Sequence, residues 1–140
     1  MQNFFDTFLQ YRENTLDIRS GNHRPGGKNE LTIKANGELI IRNTLNRTVR
    51  EFSRILAESQ MYHIMDVLRR THPILMQRHR EGAVPEGARF EFRFSGFALD
   101  KPLEIAVWGS DRIRFPELED LLSCLEKVIR EVSSGAIGYF

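Results

Sequence analysis

The stretch Ala88–Ser95 reads Ala-Arg-Phe-Glu-Phe-Arg-Phe-Ser. Phe90, Phe92 and Phe94 alternate with Arg89, Glu91 and Arg93, the period of two that a half-buried β-strand requires. On a helix, three phenylalanines two residues apart would spread around most of the circumference. The chain therefore has to build a sheet here, with one apolar face in need of cover and one charged face.

The cover is readable further along. Leu118, Leu121, Leu122, Leu125, Val128, Ile129 and Val132 recur at helical spacing, behind Pro116, a good first helical residue, and the acidic Glu117, Glu119 and Asp120. This predicts a helix over 116–133, closed by Gly135 in the left-handed conformation. Between strand and helix, Leu103–Trp108 alternates again. Pairing Phe94 with Leu103 places Arg93 opposite Glu104 and Arg89 opposite Trp108, and leaves Trp108 on the charged face.

The first half carries similar signals. Residues 2–13 place Phe4, Phe5, Phe8 and Leu9 on one side of a short amphipathic helix. Leu16 and Ile18 alternate with Asp17 and Arg19 as a short strand, and Ser20–Asn29 reads as a turn-rich loop. Leu31–Lys34 and Glu38–Arg42 form a hairpin around Ala35-Asn36-Gly37. A three-residue turn with Gly37 left-handed sets Leu31 against Ile41 and Ile33 against Leu39, keeping one face apolar. Ile40 then lies on the outer face. Thr48-Val49-Arg50-Glu51 has the form of a capping box, and Val49, Phe52, Ile55, Leu56, Ser59 and Tyr62 read as the stripe of a helix behind it. Pro73 is expected to interrupt that helix, with a short helix resuming over Pro73–Arg80 and a loop at Glu81–Gly87. The expectation is an α+β fold. Its antiparallel sheet has four to five strands and two amphipathic helices on one face, in the order α-βββ-α-ββ-α. At 140 residues, with no low-complexity linker, residues 1–140 read as a single domain.

Within this order, the hairpin Leu-Thr-Ile-Lys-Ala-Asn-Gly-Glu-Leu-Ile-Ile (31–41) with its helix, and the Phe-rich hairpin with its helix, repeat one unit. That layout over residues 30–133 resembles small bacterial domains of unknown function. It is also similar to emfourin-type proteins, which inhibit thermolysin-like metalloproteases. Here the 61–87 connection is longer and an N-terminal segment is added. The whole order, with its N-terminal helix, also resembles type III secretion chaperones, dimers that bind effector segments in extended form. All three resemblances imply an α+β domain; the last two imply one that binds another protein.

Charge and composition narrow the function further. The chain holds 20 Lys and Arg against 19 Asp and Glu, too even a balance to imply nucleic acid by itself. No apolar run approaches the roughly 18 residues of a membrane span. Met1–Arg12 lacks the basic start and small-residue cleavage site of a signal peptide. Cys124 is the single cysteine, so there is no internal disulfide, and a cytoplasmic location is the default expectation.

No catalytic or metal pattern stands out. His63, His72 and His79 are nine and seven residues apart, a spacing that does not share a helical face. No Gly-x-Ser-x-Gly elbow occurs, and His-Arg-Pro-Gly-Gly-Lys followed by Asn29 departs from the phosphate loop. Two constellations remain. Arg69, Arg70, His72, Arg78, His79 and Arg80 concentrate positive charge within one segment, suited to an acidic protein surface or to phosphates. Trp108 with Arg89 and Arg93 puts an aromatic among charges on the outer sheet face, either an anchor for a partner or a site covered by the N-terminal helix through Phe4, Phe5 and Phe8. The sequence thus predicts a non-enzymatic protein-binding module of inhibitor, chaperone or adaptor type, with no cofactor or metal. Nucleic-acid binding through residues 69–80 is the alternative, and a homodimer is left open.

Overall fold

A computed structural model describes Phe8 and residues 13–20, 28–75, 89–96, 103–108 and 115–137. Six strands form one fully antiparallel sheet: β1 (Thr15–Ser20), β2 (Lys28–Lys34), β3 (Glu38–Leu45), β4 (Thr48–Ile55), β5 (Arg89–Ser95) and β6 (Leu103–Trp108). Among the described residues two helices accompany it, α1 (Glu58–Leu75) and α2 (Pro116–Val132). The strand order across the sheet is β4-β3-β2-β1-β5-β6.

The registers follow from the hydrophobic pattern. Leu31 lies opposite Ile41 and Ile33 opposite Leu39, around a turn in which Gly37 has φ 99°. Phe94 pairs with Leu103, Arg93 with Glu104 and Arg89 with Trp108. The Phe-rich strand is joined along its other side to β1, with Ile18 opposite Phe92 and Leu16 opposite Phe94. One face of the sheet thus carries Leu16, Ile18, Leu31, Ile33, Leu39, Ile41 and the three phenylalanines. These share a single buried core with Ile64 and Leu68 of α1 and with the leucine face of α2. Both helices sit over this inner face because theirs are the apolar stripes that can fill it.

The expected four to five strands become six because Thr48–Ile55 is a strand, where the sequence reading placed the start of a helix. Asn46 (φ 50°) and Arg47 (φ 68°) form a two-residue turn with both residues left-handed, which closes a hairpin on the Leu45–Thr48 pair. The capping box at Thr48–Glu51 is therefore not used. Glu51 instead binds Arg42 across the hairpin at 3.0 Å. The spacing of Val49, Phe52 and Ile55 imitated a helical stripe, but Val49 and Ile55 are 55% and 65% exposed. The helix starts a few residues later, where the Gln60 side-chain oxygen accepts the Ala57 N–H at 3.2 Å in the manner of the reciprocal half of a capping box.

Pro73 also differs from expectation, since α1 passes through it to Leu75. The ring acts on the turn before it, through the missing N–H and the carbonyl of Arg69, and here disturbs the helix without ending it. Just upstream, the Thr71 hydroxyl donates to Val67 O at 2.7 Å and lies 3.4 Å from Glu117 O of α2. The expected loop over Ser20–Asn29 gives up both ends to strands β1 and β2. The expected N-terminal helix and the 73–80 helix fall largely outside the described residues, as does the loop over 81–87. Phe8 is fully buried in the core. It is tied there by Asn14, whose Nδ2 donates to Phe8 O at 3.1 Å. Gly96 packs against Asn14 so closely that a Cβ would collide with its side-chain oxygen. At the other end, Gly135 (φ 84°) ends α2 and Ile137 returns to the core, its N–H on Ser133 Oγ at 3.0 Å.

Candidate partner-binding face

The outer sheet face is built by the alternation that buries the inner one. Across it the strand registers line up Glu51, Arg42, Glu30, Arg19 and Glu91 in one row, and Asp17, Arg93 and Glu104 in the next. Charge alternates along each row, so neighbours attract across strands. Arg42 binds Glu51 at 3.0 Å, and Arg93 lies 3.7 Å from Glu104. The Thr32 hydroxyl donates to Asp17 Oδ1 at 2.6 Å. Among the described residues no helix or strand packs over this face.

Near the β6 side the face is dented. A depression of about 290 Å³ is lined by Asp17, Arg19, Glu91, Arg93, Glu104 and Ala106, with Phe92 and Ile105. Its physical cause is Ala106, a methyl group between Glu104 and Trp108 on a strand whose neighbours present long side chains. Trp108, half-buried, follows two residues along on the same face. Three carboxylates and two guanidiniums line the hollow, so it is slightly acidic.

Arg93 and Trp108, both predicted, are brought together on this face, with Arg89 opposite Trp108 in the register. Glu91 and Ala106, read as outward-facing from the sequence, complete it together with Asp17 and Arg19, which the sequence reading did not place there. Alternation alone puts Glu91 and Ala106 on the outer face. What brings Asp17 and Arg19 beside them is the pairing of β1 with β5, strands some seventy residues apart, for which the sequence holds no local signal.

The predicted basic segment is not joined to this face by any described contact. Arg69 and Arg70 sit on exposed turns of α1 and both reach Asp66, at 2.6 and 3.4 Å. The hydrogen bond from Arg69 holds the Asp66 carboxyl below its ordinary range, against the opposing effect of desolvation and with help from the charge of Arg70. The single carboxylate of Asp66 thus offsets one of the two positive charges at residues 69–70. His72 lies on α1. Its side chain and that of Arg89 lie outside the described residues, as do Arg78, His79 and Arg80.

A second hollow, of about 230 Å³, runs between the helices past His63, Cys124, Lys127 and Glu131. Burial pushes the Cys124 thiol up, against the weaker opposing charges of Lys127 and Arg70. A thiol so shifted is a poor nucleophile at neutral pH. Among the described residues no three His, Cys, Asp or Glu side chains converge so as to hold a metal ion. No described helix is long and apolar enough to cross a membrane. The chain matches no protein-family model, and no curated protein is significantly similar to it.

Proposed function

We propose that this chain is a non-enzymatic protein-binding module of inhibitor, chaperone or adaptor type, acting through the outer sheet face between β1, β5 and β6. The observation that carries this reading is the hollow over Ala106, rimmed by alternating charges and adjoining Trp108. An aromatic side chain beside a small-residue hollow offers the anchor-and-pocket arrangement on which protein interfaces concentrate their binding energy. The surrounding checkerboard of Arg19, Glu91, Arg93 and Glu104 supplies register and specificity through complementary charge. Nucleic acid suits this face less well, because carboxylates outnumber guanidiniums around the hollow and would repel phosphates. The engagement of Arg69 and Arg70 by Asp66 likewise weakens the case for the basic segment.

The test compares the wild-type chain with Trp108→Ala, Ala106→Arg and the helix variant Arg69→Ala/Arg70→Ala as baits in pull-downs from the native host. A partner recovered by wild type and by the helix variant, but lost with the two sheet-face variants, is the expected result. Equal recovery by all four baits removes the sheet face from the reading. Binding to DNA or RNA that weakens steeply with salt and is lost only in the helix variant transfers the function to nucleic acid.

A further inference from the structure

The sheet ends at β4, an eight-residue strand with no described strand on its outer edge. Exposed edges are usually blunted by proline, a bulge or a very short strand. β4 has none of these, since its pairing with β3 runs unbroken from Leu45–Thr48 to Glu38–Ile55; the one blunting device it does carry is inward-pointing charge, at Arg50 and Arg54. We propose that this edge pairs with β4 of a second copy of the chain, antiparallel about a two-fold axis through Phe52, joining two six-stranded sheets into one.

The backbone shows which groups are available. Leu56 N–H donates to Gly37 O at 2.9 Å, and the two-residue turn closes on Leu45 and Thr48. Hydrogen-bonding direction alternates along an antiparallel strand. The even-numbered residues of β4 therefore address β3, while Val49, Glu51, Ser53 and Ile55 turn their N–H and C=O groups to the open edge.

The side chains select the register. Directly opposed residues must share a face, so the two-fold axis can pass only through a residue. Centred on Glu51, it sets two like carboxylates face to face and Val49 against a serine. Centred on Arg50 or Ser53, it opposes identical arginines or sets Ile55 against a carboxylate, and pairs less of the strand. Centred on Phe52, it sets Val49 against Ile55 twice and Glu51 against Ser53. Phe52, half-buried at the margin of the core, then meets its own symmetry mate. Val49 and Ile55 are two of the three large apolar side chains exposed among the described residues, and this register covers both. It also opposes Arg50 to Arg54. Those two like-charge pairs oppose the association, although each guanidinium is hydrogen-bonded within its own chain, Arg50 to Asn43 Oδ1 at 3.1 Å and Arg54 to Glu131 O at 3.4 Å. The register is chosen on the apolar cover of Val49 and Ile55, which no other register gives.

The pairing is independent of the outer-face hollow, which lies at the opposite side of the sheet. Its test is the molar mass of the full chain in solution by light scattering, with four variants. Wild type should show twice the 16.3 kDa of the chain. Ser53→Pro removes an outward N–H and no bond to β3, so it should give a monomer with an unchanged circular-dichroism spectrum. Val49→Lys/Ile55→Lys should do the same if the proline variant does not fold. Phe52→Cys in a Cys124→Ser background should form a disulfide-linked dimer under mild oxidation. Opposed residues at such a non-hydrogen-bonded position have Cα atoms about 4.5 Å apart, within disulfide reach. Ser53→Cys in the same background, one step out of register, should not. A monomeric wild type overturns the proposal and leaves the edge to an extended segment of another protein. A dimer that survives both edge variants, or cross-links as well through residue 53 as through 52, overturns it equally.

Discussion

The two outermost hairpins of the sheet, β3–β4 and β5–β6, have the same antiparallel connectivity and opposite energetics. In β5 every second residue is a phenylalanine with essentially no exposure, pressed under the helices. In β4 only Phe52 touches the core, and its inner-face neighbours are Arg50 and Arg54. β5 is held by what lies above it, whereas β4 is held by its backbone ladder to β3 and by the turn that starts it. The difference shows that strand formation does not require core burial when a neighbouring strand and a tight turn supply the pairing.

Breaking the hairpins should reveal this contrast. Phe92→Ala empties the centre of the core and should cost about 3–5 kcal/mol, read as a lowered midpoint in urea unfolding. A loss below about 1 kcal/mol would mean that β5 is not under the helices. At the other hairpin, Arg47→Gly relieves a left-handed side chain and should raise stability by roughly 0.5–1 kcal/mol. A destabilised variant would argue against the two-residue turn. The smallest effect belongs to the Arg93–Glu104 pair, exposed and 3.7 Å apart. A double-mutant cycle should give a coupling of about 0.5 kcal/mol or less, because that pair matters for what the face presents to a partner more than for holding the hairpin.

The same contrast explains what could be read in advance. The β5–β6 register, the β2–β3 turn at Gly37 and the span of α2 were all legible, because each writes its burial into a repeating pattern of apolar residues. β4 left no such pattern. Half of its inner face is arginine, its apolar residues fall three apart, and Asn46-Arg47 lacks the glycine that usually marks a two-residue turn. The candidate site was half legible: alternation placed Arg93 and Trp108 on the outer face, while Asp17 and Arg19 joined them only through a long-range pairing. The basic segment was a feature of composition, and at Arg69 and Arg70 it is met by an acidic neighbour one turn away on α1.

By itself the sequence determined which faces are apolar, where α2 begins and ends, and that an antiparallel sheet must form beneath it. These are local consequences of side-chain period, proline and glycine. Only the tertiary structure decided that β1 lies between β2 and β5, that the hollow over Ala106 gathers charges from three strands, and that β4 stands last among the described strands of the sheet. Strand order is set by which distant segments bury one another, a free energy shared between parts of the chain and written in none of them alone.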